Sequence, residues 1–148
     1  MKIKISSAAP SIEKSDIDIV NKAMKIGWGD KKDIFINRFE SKFSSYLKKK
    51  YCITVSHCTD AIHLALLAIG IKEGDEVLVP DFTWVASAAP IKYLKAKPVF
   101  IDVRKDTWCI DEDLIEKKIS KRTKAIIVVD LLGNMPNWNK IIKIAKKK

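Results

Sequence analysis

Apolar residues recur at helical spacing in the first 50 residues, which are otherwise rich in charged side chains. This spacing predicts one amphipathic helix over residues 11–26 and a second over residues 35–47. Ser11 is a candidate cap for the first helix, although no Glu or Gln follows it at the position that a capping box needs. Gly27 and Gly29 end that helix. Its apolar face carries Ile12, Ile17, Val20 and Met24.

The pattern changes at residue 51, where short apolar runs begin to alternate with helical segments. Because the runs are continuously apolar, they indicate strands covered on both faces, as in a parallel sheet. We therefore expect an α/β fold with a mainly parallel sheet and flanking helices, with residues 1–50 as a helical segment and 51–148 as the α/β part. One helix is apolar almost all round and is expected to be buried. The predicted strands are 51–56, 76–80, 98–102 and 125–130, and the predicted helices are 59–69, 83–94, 111–119 and 137–147.

Charge and composition narrow the class of protein. The net charge is +10, but its lysines are scattered and only Arg38, Arg104 and Arg122 are arginine. This distribution favours a solvated surface over a nucleic-acid patch, and a lysine-rich nucleic-acid binder stays as an alternative. No apolar run approaches the roughly 18 residues of a membrane helix. The three cysteines are odd in number and widely spaced, which favours free thiols in the cytoplasm.

Candidate chemistry lies where the predicted strands end, because ligands bind at the carboxyl edge of parallel sheets. Thr59 opens a helix directly after a strand, so it is either a phosphate-binding residue or a simple helix cap. Trp84 follows the second strand and either stacks on a planar ligand or packs in the core. The spacing of Cys52, His57, Cys58 and His63 is wrong for zinc, and no metal is expected.

Several segments in register carry a resemblance to a known family. They are TVSHCTDAIHLALLAIG at 54–70, GDEVLVPDFTWVAS at 74–87 and TKAIIVV at 123–129. With these segments the chain resembles the DegT/DnrJ/StrS sugar aminotransferases, which use pyridoxal 5′-phosphate (PLP). The resemblance implies the N-terminal part of the large domain of a fold-type I aminotransferase, truncated before the Schiff-base lysine.

The resemblance also implies roles for particular residues and partners. Thr59 and the amides around Cys58 would hold the PLP phosphate, and Trp84 would stack on the pyridine ring. The substrate would be a nucleotide-linked keto-sugar, the amino donor an amino acid such as glutamate, and the full-length enzyme a homodimer. The family's catalytic lysine and ring-pairing aspartate lie beyond residue 148, so no catalytic residue is expected in this chain. A non-catalytic truncated module that associates with a partner is the alternative.

Four positions depart from the pattern of the family. His57 stands where Asn or Ser is usual, and Cys58 stands where Gly is usual. Asp33 and Asp130 replace a common Gly and a common His, respectively. The change at 58 keeps the backbone N–H but requires space for a thiol.

Overall fold

A computed structural model describes residues 10–147 of the chain. These residues form two compact units, the first ending at Thr54 and the second beginning at Val55. The first unit is helical, with α1 over Lys14–Ile26 and α2 over Ile34–Tyr46, within a few residues of the predicted bounds.

Two local contacts shape the first unit. The expected cap at Ser11 is wrong, because α1 starts later and the Glu13 amide donates to Asp16 Oδ2 at 2.9 Å. On α2, Glu40 Oε1 accepts hydrogen bonds from both the amide and the hydroxyl of Thr54, at 2.7 and 2.9 Å. Glu40 therefore fixes the last residue of this unit.

The second unit is built on a three-stranded parallel sheet in the order β2-β1-β3. The strands are β1 at Glu76–Pro80, β2 at Lys97–Ile101 and β3 at Thr123–Ile126. The expected α/β class with a mainly parallel sheet is therefore confirmed. Four helices accompany the sheet: α3 at Cys58–Ala68, α4 at Ala89–Tyr93, α5 at Glu112–Lys118 and α6 at Trp138–Lys146.

Alternate residues of β1 pack into two separate cores. Val77 and Val79 lie in one core with residues of α3 and α4. Leu78 lies in the other core with residues of α5 and α6. Because successive side chains of a strand point to opposite faces, α3 and α4 cover one face of the sheet and α5 and α6 the other.

Two predictions for residues 51–69 are wrong. Residues 51–56 form no strand, because pairing defines a strand and this segment pairs with no other part of the described chain. The helix after it is not buried, since only Leu66 of α3 is inaccessible to solvent, while Leu64 and Leu67 are 49% and 48% exposed. An exposed helix with apolar side chains on all sides is typical of an interaction surface.

Two further predictions needed adjustment. The single helix expected over 83–94 is a 3-10 turn at Val85–Ser87 followed by α4. Pro90 has no N–H to donate and is tolerated only in the first turn of a helix, so a new helix begins there. The last strand ends at Ile126 and does not reach residue 130.

A buried carboxylate at the start of β1 makes the stability of the second unit sensitive to acid. Glu76 is 5% exposed and accepts from Ser120 Oγ at 2.6 Å and from Arg122 Nη2 at 2.9 Å. The Ser120 hydrogen bond and the Arg122 charge lower its pKa below the ordinary 4.5. Its ionised form therefore stabilises the fold above that pH, and the contribution is lost as pH falls from 4.5 through the lower folded-state pKa.

We expect Glu76→Gln to lower the melting temperature at neutral pH and to reduce its dependence on pH in the acid range. Thermal unfolding of the wild type and the variant in a pH series measures both effects. Glu73→Gln is the matched control, because its ion pair with Lys95 is exposed and contributes little. An equal loss in both variants would contradict the assignment to Glu76.

Candidate functional site

The start of α3 presents unpaired backbone donors. His57 precedes the helix in an extended conformation, and its carbonyl accepts from the amides of Asp60 and Ala61 at 3.1 and 3.2 Å. The amides of Cys58 and Thr59 have no acceptor among the described residues. Free N–H groups and the positive end of the helix dipole together favour an anion at this position.

The side chains around this helix start leave the donors accessible. Cys58 is exposed, and Thr59, which is half-buried, makes no hydroxyl hydrogen bond within the described part of the chain. Asp60 is the one acidic residue in the first turn, and its carboxylate accepts from Ser56 Oγ and lies 3.8 Å from His57 Nδ1. Ser56 and His57 are therefore the local partners of the Asp60 carboxylate.

Trp84 lies in the segment that follows β1 and is 78% exposed. It begins the 3-10 turn Val85–Ser87, which is braced by a 3.2 Å contact between Thr83 Oγ1 and Ser87 Oγ. This exposure excludes the packing of Trp84 in the core of the described chain. The indole ring is accessible to a planar ligand.

Packing brings the two candidate segments together. The 3-10 turn at Val85–Ser87 is in contact with α3, and α4 packs along the same helix. The structure thus places Trp84 at the edge of an element that touches the helix whose first residues are Cys58 and Thr59. The helix that begins at Cys58 and the turn that follows Trp84 are therefore neighbouring elements of the second unit.

Two acidic side chains that follow strands, those of Asp102 and Asp130, accept hydrogen bonds from nearby donors. Asp102 Oδ1 accepts from the Val103 amide at 2.7 Å. Asp130 Oδ1 accepts from Trp138 Nε1 at 3.1 Å and so ties the segment after β3 to the start of α6. In this chain Asp130 has a structural partner at the position where the family commonly has His.

Sequence reasoning missed an aromatic pair near Trp84. The rings of Phe82 and Trp108 lie 5.0 Å apart, although the two residues belong to different loops. Together with Leu131 and Leu132 they line an apolar pocket of about 190 Å³. The sequence does show that Trp108 lies in the loop after the predicted strand at 98–102. Its contact with Phe82 could not be predicted, because the two residues are distant in sequence.

All three cysteines are free, and they differ in access to solvent. Cys58 is exposed, Cys52 is half-buried, and Cys109 is buried at 1% exposure. Cys58 is therefore a chemical probe located at the helix start itself.

The chain belongs to the DegT/DnrJ/EryC1/StrS aminotransferase family, whose sequence pattern it matches over residues 10–148. It is 42% identical over 139 residues to GDP-perosamine synthase of Escherichia coli O157:H7, covering 94% of this chain and 38% of that protein. It is 39% identical over 112 residues to the UDP-2-acetamido-2-deoxy-3-oxo-D-glucuronate aminotransferase of Pseudomonas aeruginosa, covering 76% of this chain and 31% of that protein.

A solved structure confirms the fold. NtdA of Bacillus subtilis, with bound cofactor PMP (pyridoxamine 5′-phosphate), superimposes with a TM-score of 0.82 and 31% identity, covering 99% of this chain and 36% of that one. The chain thus spans 31% to 38% of the length of these three relatives. It has the fold of the N-terminal part of an aminotransferase of this family. Within residues 10–147, no helix is both long and apolar enough to cross a membrane.

Proposed function

We propose that this chain is the N-terminal part of a PLP-dependent aminotransferase that acts on nucleotide-linked keto-sugars. We assign residues 51–148 to part of its PLP-binding large domain and residues 1–50 to an N-terminal segment, which is helical over Lys14–Ile26 and Ile34–Tyr46. The observation that carries the proposal is the pair of unpaired amides at Cys58 and Thr59, at the start of a helix that contacts the turn following the exposed Trp84.

The residues of this region fit PLP by their chemistry. The amides of Cys58 and Thr59 and the Thr59 hydroxyl are donors suited to a phosphate at a helix start. The Trp84 ring offers a flat apolar surface for the pyridine. Because the Cys58 side chain is exposed, its thiol has space without displacing the backbone that binds the anion. When bound, PLP supplies an electron sink for the carbon that carries the amino group.

The proposed substrate class comes from the relatives. Two of them are named for reactions on GDP-linked and UDP-linked sugars, which supports a nucleotide-linked keto-sugar as the acceptor of the amino group. We propose an amino acid such as glutamate as the donor and a homodimer as the full-length form. We propose a cytoplasmic location, which the free thiols support.

The resemblance to the family also suggests which part of the full-length enzyme binds the cofactor and which part carries out the chemistry. The lysine and the aspartate that the chemistry requires are proposed to lie outside these 148 residues. The present chain would then hold the phosphate and one face of the ring, so its contribution is binding and orientation.

We expect PMP to slow the alkylation of Cys58 by iodoacetamide while leaving Cys52 unaffected. PMP is the better probe because it has no aldehyde that could react with the 25 lysines of the chain. Rates of modification at each cysteine, measured by peptide mass spectrometry, give the apparent PMP affinity. Pyridoxamine without the phosphate should protect much less, because the anion contacts provide the binding.

Two variants assign this protection to the proposed residues. Thr59→Val removes a charge-assisted hydrogen bond and should weaken PMP binding about tenfold. Trp84→Ala removes the ring contact, worth about 1 kcal/mol, and should weaken binding about fivefold. Circular dichroism checks that each variant is folded. Equal slowing at Cys52, or protection unchanged in both variants, would contradict the site.

A further inference from the structure

The apolar pocket at Phe82 and Trp108 lies where the connections of the sheet diverge. β1 and β2 are neighbours in the sheet. The chain leaves β1 towards α4, which covers one face, and leaves β2 towards α5, which covers the opposite face. Phe82 follows β1 and Trp108 follows β2, so the two rings lie in the two diverging connections. In open α/β sheets, ligands bind in the crevice that such connections leave at the carboxyl ends of the strands.

The backbone at this pocket adopts an uncommon conformation. Trp108 has a φ of 60° and Leu132 a φ of 50°, in the left-handed region that bulky side chains rarely adopt. The other described residues of this kind, glycine apart, are Lys48 and Lys95, which follow the ends of α2 and α4, where this conformation is common. Trp108 and Leu132 follow no α-helix, and both line the same pocket. Backbone strain of this kind clusters at ligand sites.

The turn that carries Trp108 is closed by hydrogen bonds and still leaves the ring accessible. The Arg104 amide donates to the Cys109 carbonyl at 2.9 Å, and the Trp108 amide donates to the Arg104 carbonyl at 2.8 Å. The side chains of Phe82 and Trp108 are nevertheless 52% and 51% exposed. Because this aromatic surface is already formed, a flat ligand can stack on it with little loss of conformational entropy.

The size and the lining of the pocket suit one base of a nucleotide. Its volume of about 190 Å³ is below the roughly 300–1,000 Å³ of a pocket for a whole drug-sized ligand, so it holds only part of a substrate. Every base has a flat face that stacks on aromatic side chains such as Phe82 and Trp108. Asn134 also lines the pocket, and its amide can both donate to and accept from the edge of a base.

A cation suited to the phosphates lies in the same turn as Trp108. Lys105 is exposed and has no ion pair within the described part of the chain. Its neighbours Arg104 and Asp106 pair with each other at 3.2 Å and so compensate each other's charge. The ammonium group of Lys105 is therefore available to attract a phosphate that is joined to a base stacked on Trp108.

We propose that the pocket formed by Phe82, Trp108, Leu132 and Asn134 binds the base of a nucleoside diphosphate, and that Lys105 attracts its phosphates. This inference rests on the proposed function, in which the substrate is a nucleotide-linked keto-sugar. It assigns the nucleotide end of that substrate to residues of this chain. Stacking accepts any base, but a purine offers the larger face, so GDP should bind more tightly than UDP.

Saturation-transfer NMR tests this pocket with GDP as the probe and the full 148-residue chain as the receptor. We expect the strongest transfer at the guanine H8 proton, because the base stacks on the rings. No binding of GDP by a chain whose Cys58 is still protected by PMP would overturn this pocket and leave the proposed function standing. Binding of GDP without any protection of Cys58 by PMP would support the pocket and contradict the PLP site.

Three variants assign the binding of GDP to particular residues. Trp108→Asn removes the ring but keeps a residue type that tolerates the left-handed region, and it should weaken GDP binding about tenfold. Trp28→Asn is the matched control, because Trp28 is a more exposed indole in the first unit and should not contribute. Lys105→Gln should weaken GDP about threefold and leave guanosine, which has no phosphate, unaffected.

Circular dichroism and the protection of Cys58 by PMP confirm that the three variants keep the fold. Unchanged GDP binding in Trp108→Asn, or an equal loss in Trp28→Asn, would refute the assignment of the base to this pocket. An equal loss of GDP and guanosine binding in Lys105→Gln would refute the role of Lys105 towards the phosphates.

Discussion

The 148-residue chain alone will transfer no amino group from glutamate to a nucleotide-linked keto-sugar above background, even with PLP added. We propose, from the resemblance to the family, that the catalytic lysine and the aspartate that pairs with the ring lie outside this chain. Without a positioned general base the proton transfers lose about 10²–10⁴ in rate, and the covalent step is lost as well. The contacts proposed for Cys58, Thr59 and Trp84 would orient a cofactor but would supply no base.

A chimera is the positive control for this experiment. Residues 10–148 replace the matched region of E. coli GDP-perosamine synthase, and amino transfer to the substrate of that enzyme is measured. We expect activity to return and to fall about tenfold at limiting PLP when Thr59→Val is introduced. Turnover by the isolated chain, or a folded and PLP-loaded chimera without activity, would contradict the proposed function.

The isolated chain will associate with itself at physiological salt despite its charge of +10. Large apolar side chains are exposed on both units, including Phe39 and Phe43 of α2 and Leu64 and Leu67 of α3. Burying a few hundred Å² of such surface at roughly 25 cal/mol per Å² yields several kcal/mol. Repulsion between the lysines is screened over about 10 Å at 0.1 M salt, so burial should dominate.

Sedimentation velocity measures this association. We expect the mean sedimentation coefficient to rise with concentration at about 0.15 M salt and to fall at low salt, where repulsion reaches farther. The double variant Phe43→Glu/Leu67→Glu should weaken association, while Asn37→Glu/Asn139→Glu adds the same charge at exposed polar positions and should change it less. A stable monomer at all concentrations would mean that these apolar surfaces do not drive association.

The sequence was sufficient for elements whose signal is local. The strand at 76–80 and the helices of the first unit occur close to their predicted bounds, because periodicity and continuous apolar runs report burial directly. The candidate residues Cys58, Thr59 and Trp84 could be selected by their places after apolar runs. The wrong cap at Ser11 shows where local patterns fail. The hydrogen bond from the Glu13 amide to Asp16 begins the helix instead.

The sequence by itself therefore determined the α/β class, the family and the residues to test. Tertiary structure decided the order β2-β1-β3, the exposure of α3 and Trp84, and the absence of a strand at 51–56. The physical reason is that a strand requires a hydrogen-bonded neighbour and a buried face requires another element that covers it. Those partners are distant in sequence, as when Glu76 binds Arg122, so a local pattern does not identify them.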